Sequence, residues 1–525
     1  MTDTIRLQSD VLILGGGPAA CWAALAAREA GRSVVMVDKG YVGTSGATAP
    51  SNTGTWFAST PERRARLIEE RLKQAEGLGD VRQMHRVIDA ATQHLHVLAE
   101  RGYPFPIDDE GKLYIANLRG PDYMRFMRTQ VLRAGVVVRD HHPALELLVA
   151  KDAVAGAAGY ARQLNQNWEV RAAAVVIATG GCAFGSRILG ATGLTGDGYL
   201  MAAELGATLS GMEFSNQYGI VPLHSSVNKG LPYGWASFYR ADGSPIEIPP
   251  GQRFPVLARE SLEGPIFARL DRATGLLPDA LRRGQPNCFL PFDRARVDPF
   301  TDVFPISLRC EGTVRGTGGL KRADDDCWVG IPGLYAAGDA LERQDIAGAS
   351  TGGGGPTASW AIATGVWAGK GAAAFAKSLG SGAVERKVRP AGQAGLRPAL
   401  SVREVDPAAS VALVREELLP IDRNFFRSAS KLAQSLVRLD SVWNELRDHA
   451  HGTGALGFRL REVAGLLVSS RWAYRAAEVR IETRGMHRRL DAPAGNPALA
   501  RRITISGIDN PRFDLDPAPS EVLAS

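Results

Sequence analysis

A few short stretches of this chain carry residue types that could do chemistry. In Gly15-Gly16-Gly17-Pro18-Ala19-Ala20, Gly15 permits a tight turn and Gly17 lacks the Cβ that would hold a pyrophosphate away from the backbone. Ala20 would let a following helix pack close to a sheet. Asp38, at the end of an apolar run, can accept hydrogen bonds from ribose hydroxyls. Gly338-Asp339 again pairs a glycine that admits the chain with a carboxylate that can meet hydroxyls. The run Gly352-Gly353-Gly354-Gly355-Pro356-Thr357 stands before a helical stretch, where unpaired N–H groups and the positive dipole end stabilise an anion. The chemistry these residues share is the holding of a phosphorylated, hydroxyl-rich cofactor.

The elements that must position them are legible around each stretch. Val11-Leu12-Ile13-Leu14 reads as a strand buried on both faces, and 21–30 as a helix closed by Gly31. A second strand, Val34-Val35-Met36-Val37, ends on Asp38, which completes a dinucleotide-binding βαβ unit. After it, Lys39 leads into a long run of small and hydroxyl residues, with Thr44, Ser45, Gly46, Ala47 and Thr48 at its centre. A plain loop is one reading. Backbone passing close to a flat ring system is the other. Helices are expected within 61–98, at 122–132, 199–205, 358–369, 409–448 and 457–482. Strands are expected at 136–138, as a hairpin over 144–160, and at 171–177, the last broken by Ala178-Thr179-Gly180-Gly181. Asp197 is placed as an N-cap or a polar contact to the cofactor, and Ala144, where the hairpin begins, is also assigned to cofactor binding. His85, His94 and His96 are read as packed or surface side chains, since no acid or cysteine completes a metal set.

Bulk properties narrow the function classes. Sixty-one basic against 55 acidic residues give +6, small for 525 residues, and the basic residues are dispersed, which argues against nucleic acid. Five cysteines, far apart, offer neither a disulfide framework nor an iron–sulfur or zinc ligand set, and point to a reducing compartment. No apolar run is long enough for a membrane span, and no leader peptide is visible. The expectation is a cytoplasmic protein.

The ordered set of stretches resembles the flavoprotein subunits of the fumarate reductase/succinate dehydrogenase superfamily, whose relatives include L-aspartate oxidase and the α-chain of adenylylsulfate reductase. The likeness takes in the glycine turn, Ala178-Thr179-Gly180-Gly181, Thr195-Gly196-Asp197-Gly198, Met212-Glu213-Phe214, Gly318-Gly319-Leu320 and 331–339. It ends on 482–493, in which Thr483-Arg484-Gly485-Met486-His487 is similar to the family's Ser-Arg-Gly-x-His segment. The resemblance implies FAD and an α/β fold: a two-part Rossmann-like FAD-binding domain (1–212 and 316–378) with an inserted α+β capping domain (213–315). A linker (379–407), a C-terminal helical domain (408–490) and a tail (491–525) follow. It places the cofactor contacts at Gly15, Gly17, Pro18, Ala19, Ala20, Asp38, Lys39, 44–48, Ala144, Ala178, Thr179, Gly180, Asp197, Gly338, Asp339, Gly354, Gly355 and Thr357.

Departures from the resemblance refine the expected chemistry. Members with covalent flavin carry a histidine in the loop matching 44–48. None stands here, so non-covalent FAD is expected. Thr351 stands where the dicarboxylate enzymes place an arginine. Gln217-Tyr218 and Arg315-Gly316 stand where they place histidines. The expected reaction is hydride transfer between FAD and a small polar, anionic substrate under the cap, without that arginine. Arg259, Tyr218, Thr351 and Arg315 are the candidate catalytic residues, with His224, Arg240, Glu260 and Arg309 as further cap candidates and Trp235 as a stacking one. Each of these can equally be a surface, structural or core residue, because spacing along the chain does not show convergence. The alternative is a flavoprotein that transfers electrons to or from a separate ferredoxin-like iron–sulfur protein, in the manner of the adenylylsulfate reductase α-chain.

Overall fold

The computed structural model describes residues 4–107, 110–228, 230–351 and 353–517. Gly352, and 518–525 of the expected tail, lie outside the described residues. The centre is a sheet in the order Arg389–Pro390, Ala144–Ala150, Ala153–Ala161, Gln166–Ile177, Ile5–Leu14, Val34–Val37, Val137–Arg139. The last four run parallel, and Leu334–Ala336 pairs in parallel with the end of Gln166–Ile177. Their register aligns four strand ends in a row: Leu14 lies opposite both Val37 and Ile177, and Ala336 opposite Ile177. In a parallel sheet the loops leaving such ends share one edge, where ligands bind. The chain segments leaving this edge are Gly15 to Gly17, Asp38, Ala178 to Gly180, and Ala337 to Asp339.

Both faces of these strands are covered, which is why Val11 to Leu14 are wholly buried. The helix Pro18–Glu29 is buried from Ala19 to Ala27, because a second long helix, Gly355–Leu379, lies against it. Sequence reading ends that second helix near Gly369, and the structure carries it on by ten residues. Its glycines are contact points, not breaks: a Cβ on Gly365 would stand 2.6 Å from the Ala19 carbonyl, and one on Gly369 2.3 Å from that of Ala23.

The strands Leu209–Ser210 and Gly319–Leu320 pair antiparallel, so the chain leaves and re-enters at adjacent positions. Between them stands a module with its own antiparallel sheet, Gln217–Pro222, Phe304–Gly312, Ile266–Arg269 and Ser237–Arg240. The helices Arg253–Glu263, Leu277–Gly284 and Pro286–Ala295 accompany it. The C-terminal helices are Pro407–Leu418, Ala429–His449 and Gly454–Val479. The helix expected over 409–448 is divided after Leu418: Pro420 lacks the N–H to continue it, and a π-helical turn, Ile421–Phe425, follows. The stripe Leu432, Leu436, Leu439, Trp443 and Leu446 is buried. Two stretches hold more structure than their reading as linker and tail. Arg389–Pro390 adds a strand to the main sheet, and Ile503–Ser506 with Arg512–Leu515 forms a hairpin joined to Leu209–Ser210. Among the described residues no helix is long and apolar enough to cross a membrane.

Candidate functional site

The aligned strand ends open on a cavity of about 410 Å³. Gly15, Gly17, Pro18, Ala19, Asp38, Lys39, 44–48, Ala178, Thr179, Gly180, Gly338, Asp339, Gly354 and Thr357 all line it, so residues far apart in sequence meet at one place. The glycines divide by task. Gly15 has φ +119°, and a Cβ there would stand 2.2 Å from the Ala178 carbonyl, so glycine is needed for the chain to cross the next strand end. At Gly17, Gly46 and Gly353 an added Cβ would meet nothing within 4 Å. At these three the missing side chain leaves room for a ligand. Gly17 also precedes the helix Pro18–Glu29, whose first turn has neither a side-chain cap nor an acid, so its N–H groups remain for a phosphate.

The polar lining is only partly satisfied. Asp38 Oδ1 accepts from the Gly40 N–H and Ser45 Oγ, each at 2.8 Å, whereas Oδ2 receives no hydrogen bond from the described residues. Burial raises the Asp38 carboxyl above its usual range, against the lowering effect of those two donors. Asp339 Oδ1 accepts from Arg343 Nη1 at 2.6 Å, and its carboxyl is raised by burial and held back by Arg343 and Arg315. The hydroxyls of Thr179 and Thr357 are buried without partners among the described residues. Unpartnered hydroxyls, a half-free carboxylate and glycine-floored space are what a hydroxyl-rich dinucleotide would use. The donor set fits the cofactor that the sequence suggests.

Four of the expected cofactor residues are elsewhere. Ala20 is packed in the core beneath the turn, Ala144 sits at the start of its strand, and Gly355 opens its helix behind Gly354. Asp197 is the first residue of the helix Asp197–Ala203, behind an N-cap at Gly196, and is spent on Lys39. Lys39 Nζ donates to Asp197 Oδ2 at 2.6 Å, to Thr195 Oγ1 at 2.8 Å and to Glu462 Oε1 at 2.9 Å. Burial alone would lower the lysine pKa. The two carboxylates hold it above the usual lysine range.

Of the candidate catalytic residues only Arg315 lines the cavity, half-buried and 3.7 Å from Glu311. Tyr218 is fully buried, and its hydroxyl donates to the Leu419 carbonyl at 3.0 Å. Burial drives its pKa well up. Thr351 is half-buried just outside the wall, with its Oγ1 accepting from the Gly353 N–H at 3.2 Å. Arg259 is exposed on the helix Arg253–Glu263, 5.9 Å from the Phe426 ring. Arg240 is ion-paired with Glu260, His224 is exposed, Arg309 is half-buried on its strand, and Trp235 packs against the core.

Other lining residues escaped the sequence reading. The loop 188–194 passes along the cavity, and Gly190 with Gly193 was the signal for it. Asn228 comes from the inserted module, and Arg162 from the end of a hairpin. Phe458 and Glu462, one turn apart on the helix Gly454–Val479, face the same space, and no local feature marks them.

The motif near the C-terminus is structural. Arg480 pairs with Glu213 at 2.8 Å and Glu482 at 2.9 Å, and Arg484 pairs with Glu482 at 2.7 Å. His487 Nδ1 accepts from Arg427 Nη1 at 2.8 Å, and its Nε2–H donates to the Arg480 carbonyl at 3.0 Å. Burial first, then the Arg427 charge, keeps this imidazole neutral, its pKa far below the usual range.

Comparison with known proteins agrees with this geometry. A family model described as "FAD binding domain" matches residues 10–120 and 112–226. The chain is 24% identical to a fumarate reductase (CoM/CoB) subunit of Methanothermobacter marburgensis, over 96% of this chain and 98% of that one. It is 26% identical to L-aspartate oxidase of Streptomyces coelicolor, over 92% and 89%. In fold it is similar to E. coli quinol fumarate reductase FrdA, with TM-score 0.82 at 20% identity over 98% and 97% of the chains. It is also similar to adenylylsulfate reductase of Archaeoglobus fulgidus, with TM-score 0.75 at 17% identity over the same shares. With a cavity lined by the glycine turn at the aligned strand ends, an FAD binding domain over 10–226 and similar proteins along nearly its whole length, the chain is an FAD-dependent oxidoreductase, similar to the flavoproteins of the fumarate reductase/succinate dehydrogenase superfamily.

Proposed function

We propose that the chain holds FAD non-covalently and transfers a hydride between it and a small, polar, anionic organic substrate enclosed by the inserted module. One observation carries this reading: Asn228 and Arg315 of that module stand on the same cavity wall as the glycine turn, so the module closes the space where a substrate would meet the cofactor. Bound FAD supplies the hydride chemistry. Gly17 and the first turn of Pro18–Glu29 hold the pyrophosphate, and Asp38 takes the ribose hydroxyls through its open oxygen. Asp339, Thr179 and Thr357 meet the remaining hydroxyls and ring edges. The start of Gly355–Leu379, which lines the cavity through Gly354 and Thr357, would favour negative charge on a bound group. Non-covalent attachment is supported by the wall itself, which among the described residues contains no histidine, cysteine or tyrosine. Thr351, in place of an arginine, argues for a reaction whose proton carrier is another group.

Acid precipitation of the purified protein should leave FAD in the supernatant. Under anaerobic conditions an organic acid of the right class should then bleach the flavin. Flavin that stays on the precipitated chain, or its absence from the protein, overturns the reading. Gly353→Val should lower the flavin reduction potential, read by redox titration, because the side chain would displace the ring from the helix terminus.

A second reading is favoured by the Methanothermobacter relative, whose name makes it one subunit of a fumarate reductase. In it electrons pass between this flavin and a separate ferredoxin-like iron–sulfur protein. Turnover of the isolated chain with oxygen as acceptor would make such a partner unnecessary.

A further inference from the structure

One guanidinium outside the cavity joins two parts of its wall from behind. Arg343 is wholly buried. Its Nη1 donates to Asp339 Oδ1 at 2.6 Å, and its Nη2 donates to the carbonyls of Thr313 and Val314 at 2.7 and 2.9 Å. Its Nε is buried without a partner among the described residues, so these contacts hold the charge. Asp339 stands on the cavity wall, where its Oδ2 receives no hydrogen bond from the described residues. Val314 and Arg315 stand on the same wall, where the chain returns from the inserted module. One end of the fork is thus committed to a carboxylate that faces the cofactor space, and the other to the backbone that carries Arg315. The Asp339 carboxyl feels both cations: burial raises it, and the charges of Arg343 and Arg315 pull it back.

The returning segment is held against the same strand ends by its own backbone. The Thr313 N–H donates to the Cys182 carbonyl at 2.9 Å, just beyond Thr179 and Gly180 of the wall. The Thr317 N–H donates to the Phe214 carbonyl at 3.0 Å, where the module begins, and the Thr317 carbonyl accepts from the Arg343 N–H at 3.0 Å. The Tyr199 hydroxyl, also wholly buried, donates to the Asp339 carbonyl at 2.8 Å and lies 3.0 Å from Thr313 Oγ1. Both tethers of the module therefore meet one strand end in a single knot of hydrogen bonds. A planar guanidinium suits this place. Its donors point in fixed directions, so its two sets of partners move together, whereas an ammonium is a point charge without that fork.

We propose that Arg343 is a positioning residue that couples the cofactor to the inserted module: what occupies Asp339 sets, through this guanidinium, where the backbone before Arg315 lies. A hydroxyl donor at the open oxygen of Asp339 fixes the carboxylate, the carboxylate fixes the guanidinium, and the guanidinium fixes Thr313 and Val314. This rests on FAD filling the cavity and goes beyond it. Cofactor binding, before any substrate arrives, orders the segment on which the module returns.

The test is amide hydrogen exchange of the full chain, read by mass spectrometry with and without saturating FAD. Two segments are compared: 178–180, on the cavity wall, and 312–318, which Arg343 holds. In the parent FAD should slow exchange in both about tenfold or more. Arg343→Lys keeps a cation beside Asp339, so it should bind FAD within about threefold of the parent by fluorescence titration. In that variant FAD should still protect 178–180 and should no longer protect 312–318. Arg343→Gln should weaken FAD about tenfold and lose the same protection. If Arg343→Gln does not fold, Arg343→Lys carries the test. Protection of 312–318 that survives in Arg343→Lys means that FAD fixes the segment by direct contact, and overturns the proposal. Loss of protection at both segments together is loss of binding alone, and overturns it too, as does a parent in which FAD slows 178–180 and leaves 312–318 unchanged. A parent in which FAD slows neither segment overturns the placement of the cofactor beneath it.

Discussion

Single residues at the glycine turn separate folding from binding. Gly15 and Gly17 are two positions apart, yet a methyl group would do different things at each. At Gly15 it meets the Ala178 carbonyl at 2.2 Å on a backbone with φ +119°, so Gly15→Ala should cost more than about 3 kcal/mol of folding stability. At Gly17 the methyl enters open cavity on an extended backbone. Gly17→Ala should therefore change stability by less than about 1 kcal/mol while weakening FAD at least tenfold, about 1.4 kcal/mol. Urea unfolding of the apoprotein and flavin fluorescence titration separate the two. Equal effects at both positions would mean that the turn does not face the cofactor.

At the scale of elements, helix packing and a buried network set the geometry. Gly369 lets the helix Gly355–Leu379 approach Pro18–Glu29 until a Cβ would stand 2.3 Å from the Ala23 carbonyl. On propensity alone Gly369→Ala should stabilise a helix by up to about 1 kcal/mol. Here the contact wins, and the substitution should destabilise by about 2 kcal/mol in denaturant unfolding. The C-terminal motif is pH-sensitive through His487. Its folded pKa is depressed, so the folded state keeps it neutral while the unfolded chain binds a proton below about pH 6.5. The stability due to the neutral imidazole is present above that pH and is lost as pH falls towards the folded pKa. The slope should reach about 1.4 kcal/mol per pH unit. Thermal unfolding between about pH 5 and 8 should show this fall, and His487→Gln should remove it.

The whole molecule is joined at Lys39. It follows the second strand of the βαβ unit, its partner Asp197 opens a helix after the fourth parallel segment, and Glu462 lies on the C-terminal helix Gly454–Val479. One ammonium thus ties three distant parts of the chain against the cavity wall. Lys39→Met would leave two carboxylates facing one another, at about 3 kcal/mol of stability, and should weaken FAD as well. Lys39→Met combined with Glu462→Gln should recover part of the loss, which a double-mutant cycle in unfolding measures. Strict additivity would mean that the lysine and the glutamate act independently.

How much of this was legible in the chain depends on whether the signal is local. The βαβ unit, the glycine turns and the strand ends at Asp38, Thr179 and Asp339 were readable, because tight turns and close approach to phosphate demand particular residues at neighbouring positions. The inserted α+β module was readable from its change of composition. The length of Gly355–Leu379 was not, since a glycine that breaks a lone helix and one that admits a neighbouring backbone look alike in sequence. Nor were Phe458 and Glu462, which meet their partners only through packing of segments distant along the chain. Tyr218 and Arg259 show the converse: a matching place along the chain did not bring either to the cavity wall. The sequence by itself determined the nucleotide-binding edge, because backbone conformation there is dictated residue by residue. Which charged side chains converge on that edge was decided only by tertiary structure, because convergence depends on register and helix packing, and spacing along the chain does not encode either.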